Sequence, residues 1–234
     1  MKIKMITHHN FSEFICIDRP SILLNSIFFS SGYITVQNPI NSLIVNLLTL
    51  TGNESIIDAC ASPGGKTANI ADKLSGNGYI YAYDMMRESK FRDTMKRLNI
   101  SNYSFSIEDT SQCKLPIVDK SICDVPCSGT GTLSKRSDLR WRLKQSNIKE
   151  HQINQIKILN NVSKSIAARG ILIYSTCSIE KEENWDVVDA FLLKNPNFII
   201  EDASKFINEK YVDSRGAMNI LPYEHNMDGG FAVR

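Results

Sequence analysis

From about Ser55 onward, short runs of β-branched and aromatic residues alternate with longer segments whose apolar residues recur every three or four positions. This alternation predicts βαβ units, whose parallel strands are joined by crossover helices. We therefore expect an α/β fold with a Rossmann-like, doubly wound sheet that binds ligands at the carboxyl ends of its strands. The predicted strands are 55–59, 79–84, 103–107, 120–125, 170–176 and 197–201. The predicted helices are 66–74, 87–98, 147–168 and 181–194.

The remaining segments complete the predicted domain. Gly170 stands where a stop for helix 147–168 belongs. Upstream, residues 32–37 have the composition of a strand and residues 41–50 that of a helix, whereas residues 1–30 show no clear period. Residues 218–234 contain Pro222 and an Asp-Gly-Gly sequence, which predicts a closing hairpin. We expect a short N-terminal extension (1–30) and one catalytic domain (31–234).

Bulk properties exclude several classes of protein. A chain of 234 residues is long enough for one well-buried domain, and its formal net charge of +2 is too small to predict nucleic-acid binding by itself. The N-terminus lacks a signal-peptide core, and the longest apolar stretch, residues 22–29, is too short to span a bilayer. The six cysteines lack the spacing of a secreted disulfide framework, so we expect reduced thiols and a cytoplasmic location. We also expect a monomer.

A glycine-containing loop lies between the first predicted strand of the sheet and the helix that follows. Residues 58–67 read DACASPGGKT, and Gly64 and Gly65 allow backbone amides to approach a ligand at the helix N-terminus. A P-loop would need glycine where Cys60 stands, and the G-x-G-x-x-G of nicotinamide-binding proteins is absent. The alternative is a glycine turn that merely joins strand to helix.

Two carboxylates favour a nucleoside cofactor. Asp84 ends the next strand, where an acidic residue accepts hydrogen bonds from ribose hydroxyls, and Asp109 follows the third strand, near the expected adenine. S-adenosylmethionine carries a nucleoside but no phosphate, so it fits this loop better than a nucleotide does. A solvated strand end is the alternative interpretation of Asp84.

Two cysteines follow the fourth and fifth predicted strands. Cys127 lies in DVPCSG (124–129) and Cys177 in YSTCS (174–178), so both thiols should face the crevice that holds the cofactor loop. A thiolate that adds to carbon 6 of cytosine makes carbon 5 nucleophilic enough to accept a methyl group. Asp124 is the candidate to hydrogen-bond at ring nitrogen 3 and so to assist the addition.

Other cysteines have simpler interpretations. We expect Cys16, Cys113 and Cys123 to be small buried apolar residues, and Cys60 to pack within its loop. Cys123 and Cys127 are four positions apart, without a second Cys or His pair at ligand spacing, so we predict no metal site.

The motifs together resemble the Sun-type RNA cytosine-5 methyltransferases, the family of bacterial ribosomal RNA enzymes and their eukaryotic nucleolar relatives. The first family motif looks like DACAAPGGKT, the fourth like DAPCSGTG and the sixth like YSTCS. Here residues 58–67 read DACASPGGKT, residues 124–131 read DVPCSGTG, and residues 174–178 match unchanged. The segment SDLRW (137–141) is also similar to the family's PDIKW. The resemblance covers about residue 32 to the C-terminus.

The resemblance implies separate roles for the two thiols: Cys177 attacks carbon 6, and Cys127 assists release of the product. It implies an RNA substrate, ribosomal or transfer RNA, and S-adenosylmethionine as cofactor. The residues implied to surround the cofactor are Cys60, Ala61, Ser62, Pro63, Gly64, Gly65, Lys66, Asp84, Asp109 and Asp124.

The chain departs from the family pattern in two places. The family commonly carries an additional N-terminal RNA-binding domain, whereas only about thirty residues precede the core here. Either a separate RNA-binding partner replaces that domain, or the chain is a fragment of a longer protein. The terminal pattern resembling DGFF reads DGGF at residues 228–231, so one aromatic residue is missing.

A basic segment directly follows the Cys127 loop. Residues 135–149 contain six lysines and arginines against one acidic residue, with a tryptophan among them. Such a segment can bind an RNA backbone beside a flipped base, although a solvated charged face is the alternative. The predicted RNA-binding residues are Lys135, Arg136, Arg140, Trp141 and Arg142.

Two other functions compete with this interpretation. A DNA cytosine-5 methyltransferase would use Cys127 in its Pro-Cys loop as the nucleophile and would leave Cys177 without a role. A non-catalytic RNA-binding or ribosome-assembly factor would keep the fold but would not bind S-adenosylmethionine.

Overall fold

The protein's structure, a computed structural model, describes residues 4–8, 10–75, 77–86 and 88–234. In those ranges the strands are β1 (Met5–His8), β2 (Phe11–Ile17), β3 (Ser55–Asp58), β4 (Tyr79–Asp84), β5 (Tyr103–Ile107), β6 (Val118–Asp124), β7 (Ile166–Thr176), β8 (Met218–Ile220) and β9 (Gly230–Val233). The α-helices are α1 (Pro20–Leu24), α2 (Ile27–Ser30), α3 (Pro39–Asn46), α4 (Gly65–Lys73), α5 (Glu88–Arg97), α6 (Leu139–Arg142), α7 (Gln145–Ser163), α8 (Trp185–Lys194) and α9 (Pro222–His225). Short 3-10 turns are Thr130–Thr132, Lys181–Glu183, Ala203–Lys205 and Glu209–Tyr211.

Strands β3 to β9 form one sheet in the order β5-β4-β3-β6-β7-β9-β8. The first five strands in that order are parallel, whereas β9 runs antiparallel to both β7 and β8. The chain winds outward from β3 in one direction and from β6 in the other, so the topological switch point lies between these two strands. A crevice forms outside the carboxyl ends of strands at such a point, and it is the expected ligand site.

Helices cover both faces of the sheet. Buried side chains of α3, α4 and α5 pack on one face, and those of α7 and α8 pack on the other. Adjacent residues of a strand point to opposite faces, so Ile56 joins the first cluster and Ile57 the second. Both are fully buried, and each such side chain contributes about 1.5–3 kcal/mol through the hydrophobic effect. The two apolar layers hold the strand ends at fixed positions.

Most predicted elements are confirmed, with boundaries shifted by a few residues. The closing hairpin of residues 218–234 is formed by β8 and β9. Helix 87–98 is observed as Glu88–Arg97, and residue 87 lies outside the described residues. Residues 1–30 show no clear period in the sequence, and their described part contains the antiparallel pair β1–β2 followed by α1 and α2.

Two predicted strands are wrong. Residues 197–201 lie outside the sheet because β9 occupies the place beside the end of β7, and Ile199 is exposed. Residues 32–37 form no strand either. The guanidinium of Arg97 donates hydrogen bonds to the carbonyl oxygens of Phe29 (3.0 Å) and Ile34 (2.9 Å) and so holds this segment in an irregular conformation.

The predicted helix stop at Gly170 is also wrong. Helix α7 ends at Ser163, and Gly170 lies inside β7 opposite an irregularity in the pairing with β6. A Cβ at this position would lie 2.6 Å from the carbonyl oxygen of Asp119, so the close approach of two backbones explains the glycine. In the described part of the chain, no helix is long and apolar enough to cross a bilayer.

Candidate active site

The glycine loop after β3 places a helix N-terminus at the switch point. Gly64 is the N-cap of α4 and adopts the left-handed conformation (φ 101°), which favours glycine. A Cβ built on Gly65 would meet no heavy atom within 4 Å, so the space beside this residue is open. The N–H groups of the first helical turn have no acceptor within the helix. The loop therefore forms a cradle in which a ligand can approach the backbone closely.

Asp84 and Asp109 hold the neighbouring loops at the carboxyl ends of β4 and β5. Asp84 accepts hydrogen bonds from the backbone N–H groups of Ser62 (3.0 Å) and Met86 (2.8 Å). Asp109 accepts one from the N–H of Ser111 (2.9 Å). Both carboxylates thus lie along the same crevice edge as the glycine loop, as the sequence predicted.

Asp58, the last residue of β3, is a buried carboxylate beneath the loop. Burial raises its pKa to about 7, although the hydroxyl of Thr67 donates a hydrogen bond to Oδ2 (2.7 Å). Among the described residues, Oδ1 of Asp58 accepts no hydrogen bond. An unpartnered buried carboxylate oxygen beside an open glycine cradle suits a ligand that carries an ammonium group and a nucleoside, and S-adenosylmethionine has both. The residues present therefore fit this cofactor.

Lys66 and Asp124 form an ion pair between the cofactor loop and the end of β6. Nζ of Lys66 lies 2.6 Å from Oδ2 of Asp124, and Ser175 donates its hydroxyl to Oδ1 of Asp124 (2.9 Å). Burial by itself lowers the pKa of Lys66, but the Asp124 carboxylate outweighs burial and the pKa is raised. Lys66 therefore remains an ammonium, and Asp124 is oriented by two donors.

Cys127 and Cys177 meet at the carboxyl ends of β6 and β7, where their Sγ atoms lie 3.2 Å apart. The hydrogen bond from the Cys127 thiol lowers the pKa of Cys177, and the cations of Lys66 and Arg136 lower it further against the opposing effects of burial and Asp124. The same bond raises the pKa of Cys127, together with burial and the charges of Cys177 and Glu183. Cys177 is therefore the thiol of the pair that ionises more readily.

A close backbone contact holds the Cys177 loop. The N–H of Gly131 donates to the carbonyl oxygen of Cys177 (3.0 Å), and the N–H of Gly229 donates to the carbonyl oxygen of Gly131 (2.7 Å). A Cβ on Gly131 would lie within 2.8 Å of two carbonyl oxygens, those of Cys177 and Gly229. The glycines of DVPCSGTG and DGGF thus allow three chain segments to meet behind the thiols.

The basic segment lies beside the thiols, but its residues differ in how accessible they are to a ligand. Trp141 is 90% exposed on α6, and Arg140 is also exposed. Arg136 is near enough to the thiols to lower the pKa of Cys177. Lys135 lies 2.5 Å from the buried carboxylate of Asp228, and Arg142 pairs with Asp138. Trp141, Arg136 and Arg140 are therefore the members that the structure leaves most available to a ligand.

The remaining cysteines differ in how deeply they are buried. Cys123 is fully buried, as predicted, and burial raises its pKa. Burial likewise raises the pKa of Cys60 and that of Cys113, the latter to about 11. The predicted burial of Cys16 is wrong because this residue is exposed on the β1–β2 hairpin, and Cys113 is only half-buried.

Sequence reasoning missed the residues that support the thiols. The carboxylate of Glu183 is fully buried and accepts a hydrogen bond from the N–H of Ser128 (2.8 Å), the residue after Cys127. Gln155, in α7, donates to Glu183 Oε1 (3.1 Å). The acidic residues directly after YSTCS were the available signal, since Glu183 belongs to that run.

The fold and the site define the class of an S-adenosylmethionine-dependent methyltransferase. The family model of the 16S rRNA methyltransferases RsmB/F matches residues 45–234, and the chain belongs to this family. The resemblance drawn from the three motifs and the predicted cofactor are thereby confirmed.

Individual relatives agree with this placement. The chain is 34% identical over 211 residues to the probable ribosomal RNA small subunit methyltransferase B of Synechocystis sp., covering 87% of this chain and 47% of the relative. The crystal structure of PH0851 superposes with a TM-score of 0.92 at 28% identity, covering 99% of this chain and 53% of the other. The crystal structure of NSun6 from Pyrococcus horikoshii with SFG superposes with a TM-score of 0.80 at 27% identity, covering 90% of this chain and 54% of the other. The chain spans about half the length of the curated relatives it matches.

Proposed function

We propose that this chain is the catalytic part of an RNA methyltransferase that transfers a methyl group from S-adenosylmethionine to carbon 5 of cytosine, with ribosomal RNA as the first candidate substrate. The observation that carries the proposal is the pair of thiols, 3.2 Å apart, at the edge of the sheet that also carries the cofactor loop. The names of the relatives, which are ribosomal RNA small subunit methyltransferases, support the substrate class.

The cofactor would be held by the loop of residues 60–66 and three carboxylates. Asp84 would accept hydrogen bonds from the ribose hydroxyls, Asp109 lies on the adenine side, and Asp124 lies toward the methionine end. S-adenosylmethionine supplies an electrophilic methyl group when it is bound. The protein's part is to fix that group opposite the thiols and to keep water away from it.

Cys177 is the proposed nucleophile. Its lowered pKa makes it the thiol of the pair that ionises more easily, and only a thiolate adds readily to carbon 6 of a pyrimidine. As the carbon–sulfur bond forms, negative charge moves into the ring toward nitrogen 3. The ammonium of Lys66 passes a proton to the Asp124 carboxylate beside it, and the carboxylic acid so formed donates a hydrogen bond to nitrogen 3. Carbon 5 then carries the electron density that takes the methyl group.

Cys127 acts at the end of the reaction. Once carbon 5 is methylated, a water molecule takes its proton, the electron pair of that C–H bond re-forms the double bond between carbons 5 and 6, and the electron pair of the bond between carbon 6 and Cys177 returns to sulfur. The thiol of Cys127 donates a hydrogen bond to that sulfur, as it does in the free protein, and so stabilises the departing thiolate. Without this donor the adduct should persist.

The surface beside the thiols is suited to RNA. Trp141 and Arg140 are exposed on α6, and Arg136 extends from the preceding turn toward the thiols. Exposed aromatic rings stack on unpaired bases, and arginines bind phosphates. The same proposal takes residues 31–234 as the catalytic domain and residues 1–30 as an extension.

The test is methyl transfer in vitro from radiolabelled S-adenosylmethionine. Transcribed 16S ribosomal RNA, transfer RNA and double-stranded DNA of matched cytosine content are the substrates. We expect label in an RNA, at a cytosine that becomes resistant to bisulfite conversion. Label in DNA alone would contradict the proposal in favour of a DNA enzyme, and cofactor binding without transfer to any RNA would also contradict it.

A further inference from the structure

Glu183 is a buried carboxylate that the reaction described above does not use. It has no exposed surface, and none of the ion pairs in the described ranges includes it. Its oxygens instead accept hydrogen bonds from neutral donors: the N–H and hydroxyl of Ser128 and the amide of Gln155. Burying a carboxylate without a cation is costly. An acidic residue in this position therefore calls for a functional explanation.

The hydrogen bonds of Glu183 connect it, directly or through Gln155, to the residues before and after Cys127 in the chain. Ser128 follows Cys127 directly, and Gln155, which donates to Glu183, also donates from the same nitrogen to the carbonyl oxygen of Pro126 (3.0 Å). The hydroxyl of Ser128 lies 3.2 Å from the hydroxyl of Ser178, the residue after Cys177. One carboxylate thus sets the position of the Cys127 loop relative to the Cys177 loop.

The charges around the two thiols are arranged asymmetrically. Cys177 is influenced by the cations of Lys66 and Arg136, which lower its pKa, and by the Asp124 carboxylate, which opposes them. The pKa of Cys127 is raised by the hydrogen bond with Cys177, by burial, by the charge of Cys177 and, after these, by the Glu183 carboxylate. Tyr174, whose hydroxyl donates to the carbonyl oxygen of Glu183 (2.5 Å), remains a neutral phenol.

We propose that Glu183 is a positioning residue that keeps Cys127 a protonated thiol aimed at Cys177, and thereby separates the roles of two chemically identical side chains. This assignment rests on the proposed function in one respect, namely that Cys127 acts on the sulfur of Cys177. The negative charge of Glu183 disfavours a second thiolate beside the first. The hydrogen bond that it accepts from the backbone N–H of Ser128 holds the thiol within reach. If the Glu183 charge were absent, the difference in acidity between the two cysteines would be smaller.

The test is a titration of both thiols by NMR in protein labelled with 13C at the cysteine β-carbons, without RNA or cofactor. Glu183→Gln keeps the size of the side chain and an acceptor for the Ser128 N–H but removes the charge. We expect the midpoint of Cys127 to fall by about one pH unit. The matched control is Glu182→Gln, an exposed neighbour that should leave both midpoints unchanged. An unchanged Cys127 midpoint in Glu183→Gln would overturn the proposal.

A second variant separates charge from loosened structure. Ser128→Ala removes a hydrogen-bond donor to Glu183 but leaves the carboxylate in place, so the midpoint of Cys127 should stay at or above that of the parent. If Glu183 had only a structural role, Ser128→Ala would lower the Cys127 midpoint, and this outcome would overturn the proposal even if Glu183→Gln failed to fold. Because the titration needs no substrate, its result does not depend on which base is methylated.

Discussion

Nζ of Lys66 lies 2.6 Å from Oδ2 of Asp124, and this ion pair joins the cofactor loop to the strand end that leads into the Cys127 loop. Lys66 belongs to DACASPGGKT and Asp124 to DVPCSGTG, so two motifs 58 positions apart in the chain form one electrostatic unit. The unit faces Cys177, whose pKa is lowered by the Cys127 thiol and by the Lys66 cation. In the proposed function, cofactor binding, base recognition and activation of the thiol therefore all depend on this pair of residues.

Replacing Lys66 should make Cys177 less reactive. In Lys66→Met the cation is lost, so the pKa of Cys177 should rise and its alkylation by iodoacetamide at pH 7 should slow by roughly tenfold, the effect of one pKa unit. Peptide mass spectrometry at low conversion measures the rate for Cys177 alone. Lys73→Met, at the exposed end of the same helix, is the control and should leave the rate unchanged. Equal rates in the parent and Lys66→Met would refute this role of Lys66.

A side chain at Gly65 should weaken cofactor binding without weakening the fold. Gly65→Ala adds a methyl group into open space, and alanine in a helix is about 0.5–1 kcal/mol more stable than glycine, so the melting temperature of the free protein should hold or rise. Calorimetry should show a weaker affinity for S-adenosylmethionine because the methyl group occupies the cradle. An unchanged affinity would mean that the cofactor lies elsewhere in the crevice.

Trp141 should contribute to RNA affinity and not to stability. The side chain is 90% exposed, so Trp141→Ala should leave the unfolding free energy unchanged within about 0.5 kcal/mol. Loss of base stacking, worth about 1–3 kcal/mol, predicts an RNA affinity that is lower by a factor of about 5 to 150. Fluorescence anisotropy with labelled RNA measures the loss, and calorimetry should show unchanged cofactor binding. Leu193→Ala, equally exposed on α8, is the control; a similar loss there would show that the effect is not local.

The ion pair between Glu54 and Lys120 predicts how stability depends on pH. Burial raises the pKa of Glu54, but Lys120 (2.7 Å) and the N–H groups of Thr51 and Gly52 outweigh it and set the pKa at about 2, against 4.5 in an unfolded chain. Because the folded pKa is the lower one, the stabilisation is complete above pH 4.5 and is lost as the pH falls toward 2. A difference of about 2.5 units between the folded and unfolded pKa of Glu54 corresponds to roughly 3 kcal/mol of unfolding free energy.

Urea unfolding at several pH values between 2 and 7 tests this dependence. Glu54→Gln should be less stable at pH 7 because the Lys120 ammonium loses its partner, and its stability should change less between pH 4.5 and 2 than that of the parent. Glu182→Gln, at an exposed position, should follow the parent curve. A Glu54→Gln curve parallel to that of the parent would contradict the assigned pKa.

The sequence predicted those parts of the fold and site that follow from local patterns. Strand β3, the glycine loop and α4 were predicted because β-branched residues, two glycines and a periodic helix follow one another directly. Residues 197–201 were misassigned because their apolar composition suits a strand, whereas β9, from the distant C-terminus, takes the place beside β7. Competition between remote segments for one sheet edge has no local signature.

The supporting residues of the site were hidden for a similar reason. Glu183 lies in an acidic run that reads as a solvated surface, and only the packing of α7 against the Cys127 loop shows that this one glutamate is buried. The identities of the two thiols were visible in the motifs, but their separation of 3.2 Å depends on the parallel pairing of β6 with β7. Proximity between residues 50 positions apart is a property of the fold.

Trapping the covalent adduct tests the central claim most directly. Single variants Cys127→Ala and Cys177→Ala are incubated with S-adenosylmethionine and the RNA substrate and are then analysed by denaturing gel electrophoresis. If Cys177 attacks carbon 6 and Cys127 stabilises the departing sulfur, as proposed, Cys127→Ala should accumulate a protein–RNA adduct, and Cys177→Ala should form none. An adduct in Cys177→Ala but none in Cys127→Ala would reverse the assignment of the two thiols and contradict the account.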